Sequence, residues 1–280
     1  MENQTLPKIR FTGLGKESGY LRYKFDDMFS FSSGKNIKQN EASPEYDIPC
    51  VRYGELYHMY GEVISKTINK TNLQRSELTF SLGNEILLPS AGEDPLDIGS
   101  ASALTLKDIA IGRTINVLRP NGEVEYSPSY VSYYINEKLR KKISTLARGA
   151  SISNVYNSDL KGLKINLPSI DEQNKIADFL SSVDKKISVL KEKHALLTQY
   201  KKGVMQKLFK QEIRFKDDNG NAFPDWELKK GNKIFDAVSN KKHNSDLPIL
   251  AITQDHGAIP RELINYQVQV TDNSVSGYKV

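Results

Sequence analysis

The stretch SIDEQNKIADFLSSVDKKISVLKEKHALLTQYKKGVMQKLFK (169–210) decides the architecture of this chain. Ser169 and Glu172 form the S-x-x-E capping box that is typical of a helix start. Apolar residues then recur at alternating steps of four and three, which predicts one helix roughly 60 Å long with a heptad seam. The seam comprises Ile176, Leu180, Val183, Ile187, Leu190, His194, Leu197, Lys201, Val204 and Leu208.

This seam needs a partner, because an apolar stripe of that length is not stable in water. The partner helix must come from elsewhere in the chain or from another subunit, and no other segment predicts a helix of comparable length. His194 and Lys201 interrupt the seam at equivalent heptad positions. Such polar residues are typical of a seam whose register is fixed at a cost in stability, so we interpret His194 as a seam residue and not as a catalytic one.

The residues before the long helix indicate an α+β fold. Short apolar runs bounded by turn residues predict strands, whereas Ser127 and Pro128 indicate the start of a helix that ends near Gly149. The predicted strands are IPCVRY (48–53), EILLPSA (85–91), TINVLRP (114–120) and LKINLP (163–168).

The sequence on the two sides of the long helix is repeated. K-I-R-F (8–11) matches E-I-R-F (212–215), and the segment 20–29 matches 226–235 at a constant spacing. S-S-G-K-N (32–36) then matches V-S-N-K-K (238–242), and D-I-P-C-V-R-Y (47–53) matches D-L-P-I-L-A-I (246–252).

Three segments follow from this repeat: a mixed α/β domain (1–168), the long helix (169–211) and the start of a second copy (212–280). The second copy is too short to bury a normal core, so we expect it to be poorly ordered or to need a partner. Trp226 is expected to be a core aromatic of an entry strand in that copy.

Composition fits a folded protein that carries a mild positive charge. Of the 280 residues, 38% are hydrophobic, 26% are charged, and the formal net charge is +5. Cys50 is the only cysteine and is expected to be a small buried hydrophobe. The chain has no apolar run near the ~20 residues that span a bilayer and no signal-like N-terminus, so we expect a cytoplasmic protein.

The segments L-P-S-I-D-E-Q-N-K-I-A-D-F-L-S-S-V-D-K-K-I (167–187) and Y-K-K-G-V-M-Q-K-L-F (200–209) resemble the central region of the specificity subunits of type I restriction–modification systems. S-G-K-N (33–36) and I-L-L-P-S-A-G (86–92) are also similar to that family. The resemblance implies two target-recognition domains, each of which reads half of a split DNA site. It also implies antiparallel helices that set the gap between the halves.

The same resemblance implies partners. The family's helices dock two modification subunits, which are adenine-N6 methyltransferases, and these recruit the restriction (motor-nuclease) subunits. A complete second recognition domain and a second long helix are missing from this sequence, so we expect a truncated subunit. A homodimer through the long helix would restore the symmetry.

Base reading needs side chains that donate to or accept from base edges, and loops between strands are where such side chains are expected. The R-G-A-S-I-S-N cluster (148–154) is the best of these loops, because it combines a glycine with several polar side chains. The candidate DNA-binding residues are Lys35, Asn36, Arg52, Tyr53, His58, Ser90, Gly92, Arg113, Asn116, Arg148, Ser151, Ser153 and Asn154.

No catalytic motif is found in the sequence. S-P-S-Y (127–130) lacks the features of a [DN]-P-P-[YF] methyltransferase motif, there is no P-loop, and the histidines lack metal-ligand spacing. We therefore expect a non-catalytic subunit with no metal or cofactor of its own, and S-adenosylmethionine, ATP and Mg²⁺ only in partner subunits.

Two other functions remain as alternatives. A coiled-coil scaffold or oligomerisation protein would use the same helix without DNA recognition, and it would lack a steep salt-dependent affinity for DNA. A nuclease or methyltransferase in its own right is disfavoured by the missing motifs.

Overall fold

The structure is a computed structural model that describes residues 19–237 and 249–263. It divides into two units, 1–202 and 203–280, and each is described here by itself. K-I-R-F (8–11), V-S-N-K-K (238–242) and the start of D-L-P-I-L-A-I lie outside the described residues, so these parts of the repeat stay predictions.

Fifteen strands are found among the described residues. In chain order they are β1 (Leu21–Lys24), β2 (Phe29–Ser33), β3 (Ile48–Val51), β4 (Val63–Ile64), β5 (Asn69–Thr71), β6 (Phe80–Leu82), β7 (Glu85–Pro89), β8 (Ala91–Gly92), β9 (Ser102–Leu104), β10 (Lys107–Ile111), β11 (Ile115–Pro120), β12 (Ser153–Asn154), β13 (Lys164–Leu167), β14 (Leu250–Thr253) and β15 (Gly257–Pro260).

The helices are mostly short, apart from the last one. They are α1 (Phe25–Met28), α2 (Tyr53–His58), α3 (Pro95–Ile98), α4 (Pro128–Tyr134), α5 (Arg140–Leu146), α6 (Asn157–Leu160) and α7 (Ile170–Phe209). A π-helical segment (Ile135–Leu139) joins α4 to α5. The mixed α/β prediction with one long helix is confirmed.

Two sheets form the centre of the first unit. The larger has the strand order β2-β11-β7-β9-β4, with β11 antiparallel to both of its neighbours. The smaller has the order β5-β3-β10-β6, in which β3 and β10 are parallel. The chain returns to its start at the end of the unit, where β13 pairs antiparallel with β1.

Side chains of the larger sheet alternate between two cores, as the period of two in a strand requires. On β7, Ile86 and Leu88 face a core that also contains α4 and α5, whereas Leu87 faces the second core. That second core includes Val51 of β3 and Ile111 of β10, so it lies between the two sheets. The larger sheet is therefore covered on both faces, which explains why β7 is buried along its whole length.

The strand predicted over 48–53 ends earlier than expected. β3 stops at Val51, and α2 begins at Tyr53. The reason is Glu55, whose buried carboxylate accepts hydrogen bonds from the backbone N of Arg52 (3.1 Å) and from Nε of the same residue (2.8 Å). This contact stabilises the start of α2 directly after the strand.

The helix predicted from Ser127 to Gly149 is not uniform. It begins at Pro128 as expected and ends at Leu146, but the Ser127 side chain makes no capping hydrogen bond. The backbone N of Ser127 donates instead to Oε1 of Gln173 (3.0 Å). The π-helical segment in the middle shifts the later turns, so that Ile135, Leu139 and Ile143 all stay in the first core.

The long helix is confirmed, with bounds within two residues of those predicted. The backbone N of Glu172 donates to Oγ of Ser169 (3.4 Å), which is one half of the expected capping box. Nε2 of the buried Gln173 donates to the carbonyl of Pro168 (2.9 Å). Tyr133 of α4 donates to Oδ2 of Asp184 (2.5 Å), so the first four turns of α7 are fixed to the domain.

Between residues 182 and 202, no described residue buries the helix. Every residue from 182 to 202 is exposed, including seam residues such as Val183 (40%), Leu190 (54%) and Leu197 (56%). At the start of the seam, Ile176 packs against the first core. The described part of the chain thus supplies no partner for the seam, as the sequence indicated.

The second unit contains a hairpin and little other regular structure among its described residues. β14 pairs antiparallel with β15. The expectation that Trp226 is the core aromatic of a strand is wrong. The residues from 223 to 230 form no strand, and Trp226 is 55% exposed and contacts the ring of Phe209 edge-on, with centroids 6.2 Å apart. In the first unit the equivalent segment (20–29) contains β1, which pairs with β13. No described residue pairs in this way with the backbone around Trp226.

Cys50 is fully buried, as expected of a small hydrophobe. It packs with Ile37, Leu78 and Ala110. Burial raises the pKa of its thiol to about 12, with a smaller contribution from Glu55, so the thiol stays protonated at neutral pH. No helix among the described residues is long and apolar enough to cross a membrane.

Candidate nucleic-acid interface

Backbone hydrogen bonds bring three loops that are distant in sequence to one edge of the first unit. The N of Lys35 donates to the carbonyl of Ile111, and the N of Arg113 donates to the carbonyl of Asn36, both at 2.9 Å. The N of Gly112 donates to the carbonyl of Val51 (2.9 Å), immediately before Arg52 and α2. The turn 112–114 therefore ties the loop after β2 to the start of α2.

A second set of bonds extends the same edge to the last loops of the unit. The N of Ser90 donates to the carbonyl of Thr114, and the N of Val155 donates to the carbonyl of Ser90, both at 2.9 Å. β12 pairs with β8, which sets Ser153 opposite Gly92. The R-G-A-S-I-S-N cluster thus meets the loop after β7, although more than fifty residues separate them.

The backbone of this edge adopts conformations that side chains disfavour. Thr114 has φ +66°, and Asn36 and Ile37 have φ +51° and +58°. Positive φ is a genuine outlier for β-branched residues such as Thr114 and Ile37, and strained backbone of this kind clusters at functional sites. Gly34 also has no space for a side chain, because a Cβ there would lie 2.0 Å from the carbonyl oxygen of Gly112.

A groove of about 650 Å³ opens between these loops. We call it the loop groove. Four of the predicted DNA-binding residues line it, namely Tyr53, His58, Gly92 and Arg113. Its other lining residues, which the sequence did not single out, are Gly54, Tyr57, Ala91, Glu93, Asp94, Asp97, Thr114 and Ile152.

Tyr57 supports the wall of the loop groove. Its hydroxyl donates to the carbonyl of Ala91, and its ring contacts that of Tyr53 edge-on, with centroids 6.1 Å apart. Burial, with smaller contributions from Tyr53 and Asp97, raises the pKa of Tyr57 above its usual range, so the phenol remains a donor. Its spacing of four residues from Tyr53 on a helix was the one signal that could have revealed it.

Charges of both signs line the loop groove. Oδ1 of Asp94 accepts from the backbone N of Leu96 (2.8 Å) and caps α3, while Asp97 lies 3.4 Å from a guanidinium nitrogen of Arg140. Glu93 and Arg113 are both exposed. The groove therefore offers donors and acceptors, together with the aromatic rings of Tyr53 and Tyr57.

Several predicted residues lie at this edge, but their side chains bond within the protein. They hold the loops in place: Asn36 Nδ2 to Glu77 O (2.7 Å), Arg52 Nε to Glu55 Oε1 (2.8 Å), Asn116 Nδ2 to Val155 O (2.9 Å), Arg148 Nη2 to Asp159 Oδ1 (2.9 Å) and Asn154 Nδ2 to Ile152 O (3.2 Å). Asn116 lies in β11 rather than in a loop, and it is buried. Lys35 and Ser151 are exposed, while Ser90 and Ser153 are partly buried.

The fold and the interface together define a mixed α/β domain with clustered polar loops, carried on a long helix with a bare seam. A sequence profile described as type I restriction modification DNA specificity domain matches residues 17–199. The chain belongs to this family.

Known proteins similar to the chain carry related descriptions. Two are from Methanocaldococcus jannaschii and are assigned as specificity subunits of the type I restriction enzymes MjaX and MjaVIII. The first is 33% identical over 124 residues, which is 42% of this chain and 29% of that protein. The second is 33% identical over 116 residues, which is 39% of this chain and 27% of that protein. The matches thus span less than a third of either relative.

A solved structure shares the fold. It is the crystal structure of the type I restriction–modification system S subunit from M. genitalium, with a TM-score of 0.52 and 20% identity. The match covers 74% of this chain and 48% of that one.

Proposed function

We propose that this chain is a DNA-reading subunit of a type I restriction–modification complex, in which the first unit reads one half of a bipartite DNA site. The observation that carries this proposal is the meeting of five sequence-distant polar segments at one edge of the first unit, four of which line the loop groove, in a chain that belongs to the DNA specificity family. Loops on a rigid scaffold are where recognition residues concentrate.

The catalytic steps belong to other subunits in this proposal. Adenine-N6 methylation is carried out by modification subunits, and cleavage by restriction subunits that bind through them. S-adenosylmethionine, ATP and Mg²⁺ act in those partners, and the complex works in the cytoplasm. Among the described residues, no cluster of three or more His, Cys, Asp or Glu side chains is placed to hold a metal ion.

The bare helix supplies the assembly surface. Exposed seam residues extend from Val183 to Lys201, which suits a partner helix of similar length. We propose that the seam packs against the same seam of a second copy of the chain. In a two-fold dimer both copies contribute the same surface, and an apolar seam can pack against an identical one. The modification subunits then dock on the remaining faces of the helix pair.

The decisive experiment co-expresses this chain with its cognate modification subunit and maps N6-methyladenine across the genome of the host. We expect a new split motif whose halves are inverted copies, because two identical first units then read one half each. An asymmetric split motif would instead mean that a different recognition domain supplies the second half. A complex that forms without any new motif would contradict the proposal.

Lys35 tests the electrostatic part of binding. It is exposed and makes no ion pair with any described residue, so we expect it to contact a phosphate. Lys35→Ala should weaken binding to duplexes of every sequence by a common factor. The slope of log K against log salt is negative, and the substitution should make it less steep by about 0.9. Titrations from low to physiological salt measure both, and Lys193→Ala on the bare helix serves as the matched control. A change of sequence preference would mean that Lys35 contacts a base.

A further inference from the structure

Arg113 is the described arginine that the fold leaves unused. Arg52, Arg119, Arg140 and Arg148 each pair with a carboxylate in the first unit. Arg75 pairs with Asp108, Arg214 pairs with Asp225, and Arg22 and Arg261 also have partners. The Arg113 guanidinium makes no hydrogen bond or ion pair with any described residue, although it lines the loop groove.

The backbone that carries Arg113 is nevertheless fixed on every side. Its own N donates to Asn36, the preceding Gly112 donates to Val51, and the carbonyl of Thr114 accepts from Ser90, each at 2.9 Å. The strained φ of +66° at Thr114 persists only because these contacts hold the turn. A free guanidinium on a rigid turn is preorganised for a ligand, since little backbone entropy is lost on binding.

The surroundings of Arg113 favour a base edge over a phosphate. Glu93 and Asp94 line the same groove, and their negative charge disfavours a phosphate there, whereas Asp97 is paired with Arg140. Arginine forms its most frequent specific DNA contact with O6 and N7 of guanine, and a carboxylate can accept from the amino group of cytosine. Glu93 is exposed and has no hydrogen-bond partner among the described residues, so it is available for that second role.

We propose that Arg113 reads a guanine in the half-site through the major-groove edge of a G·C pair, with the loop groove facing that pair. This inference rests on the proposed DNA-reading function and deepens it. It assigns one base of the recognised sequence to one side chain.

The test is in-vitro selection from a randomised duplex library, with the full chain in complex with its modification subunit. The unaltered complex should select a guanine at one half-site position. In Arg113→Ala that preference should fall roughly 5- to 150-fold while the other positions keep theirs. Arg113→Lys keeps the positive charge but lacks the planar guanidinium group. Compared with Arg113→Ala, it should therefore regain more of the overall affinity for DNA than of the preference for guanine.

Arg75→Ala provides the control, because it removes an exposed arginine outside the loop groove and should leave the selected motif unchanged. Thermal melting of each variant verifies folding. If Arg113→Ala weakens all sequences equally and Arg113→Lys restores them, Arg113 is a phosphate contact and the inference is wrong. An unchanged motif in both variants also overturns it and leaves the DNA-reading function standing. If the unaltered complex selects no motif, both the function and the inference fail.

Discussion

Replacing Arg119 with alanine should lower the free energy of unfolding of the first unit by about 3–5 kcal/mol. Glu85 is fully buried at the start of β7, and its Oε1 lies 3.2 Å from Nε of Arg119. Arg119 also donates to Oγ of Ser32 and to the carbonyl of Phe80. The substitution leaves a buried carboxylate without its cation, which is far more costly than losing an exposed pair.

Chemical denaturation of the full chain measures this loss. The matched control is Arg75→Ala, which breaks the pair with Asp108, whose side chains are 55% and 63% exposed. That control also removes the contact of Arg75 with the Phe80 ring (4.1 Å), and it should change stability by no more than about 2 kcal/mol. Equal effects of the two substitutions would mean that burial does not set the strength of the Arg119 pair.

Leu197→Asp should weaken self-association of the chain at least about 100-fold, since each of two copies loses a buried leucine and gains a carboxylate in the seam. Leu197 is 56% exposed in the single chain and lies on the predicted seam. Sedimentation equilibrium over a range of protein concentrations measures the change.

The neighbouring leucine makes a close control. Leu196 is 59% exposed, but it points about 100° away from Leu197 around the helix, off the seam. Leu196→Asp should therefore leave self-association intact. If both variants weaken association equally, the heptad seam is not the interface. If the unaltered chain is monomeric at micromolar concentration, the proposed homodimer is wrong.

The long helix could be predicted from sequence because its signal is local. The capping box and the heptad spacing placed its ends at 169 and 211, and the helix runs from Ile170 to Phe209. The strands β7, β11 and β13 were recognisable for a similar reason, since each is a short apolar run between turn residues. The sequence alone did not specify how these strands pair.

The predictions of secondary structure were wrong where side-chain contacts, and not the spacing of apolar residues, determine the backbone conformation. The hydrogen bonds that Glu55 accepts from Arg52 start α2 directly after β3, and a π-helical segment at Ile135–Leu139 interrupts the helix predicted from Ser127. Trp226 has the residue type of a core aromatic, but its described surroundings provide no strand to pair with.

The candidate interface was only partly predictable. Residue type identified Tyr53, His58 and Arg113, which line the loop groove, but it could not tell them from Asn116, which is buried. That distinction depends on backbone bonds between loops, such as the one from Arg113 to Asn36. Glu93 was not among the predicted residues, although it lines the same groove.

β11 performs two separate tasks at its two ends. At one end Arg119 secures the buried Glu85, and at the other the strand leads out of the strained turn that carries Arg113. A side chain at position 113 has no part in the core, so it can be exchanged without unfolding the sheet. Under the proposed function, a substitution at position 113 would therefore change the base that is recognised while the sheets that position this residue stay the same.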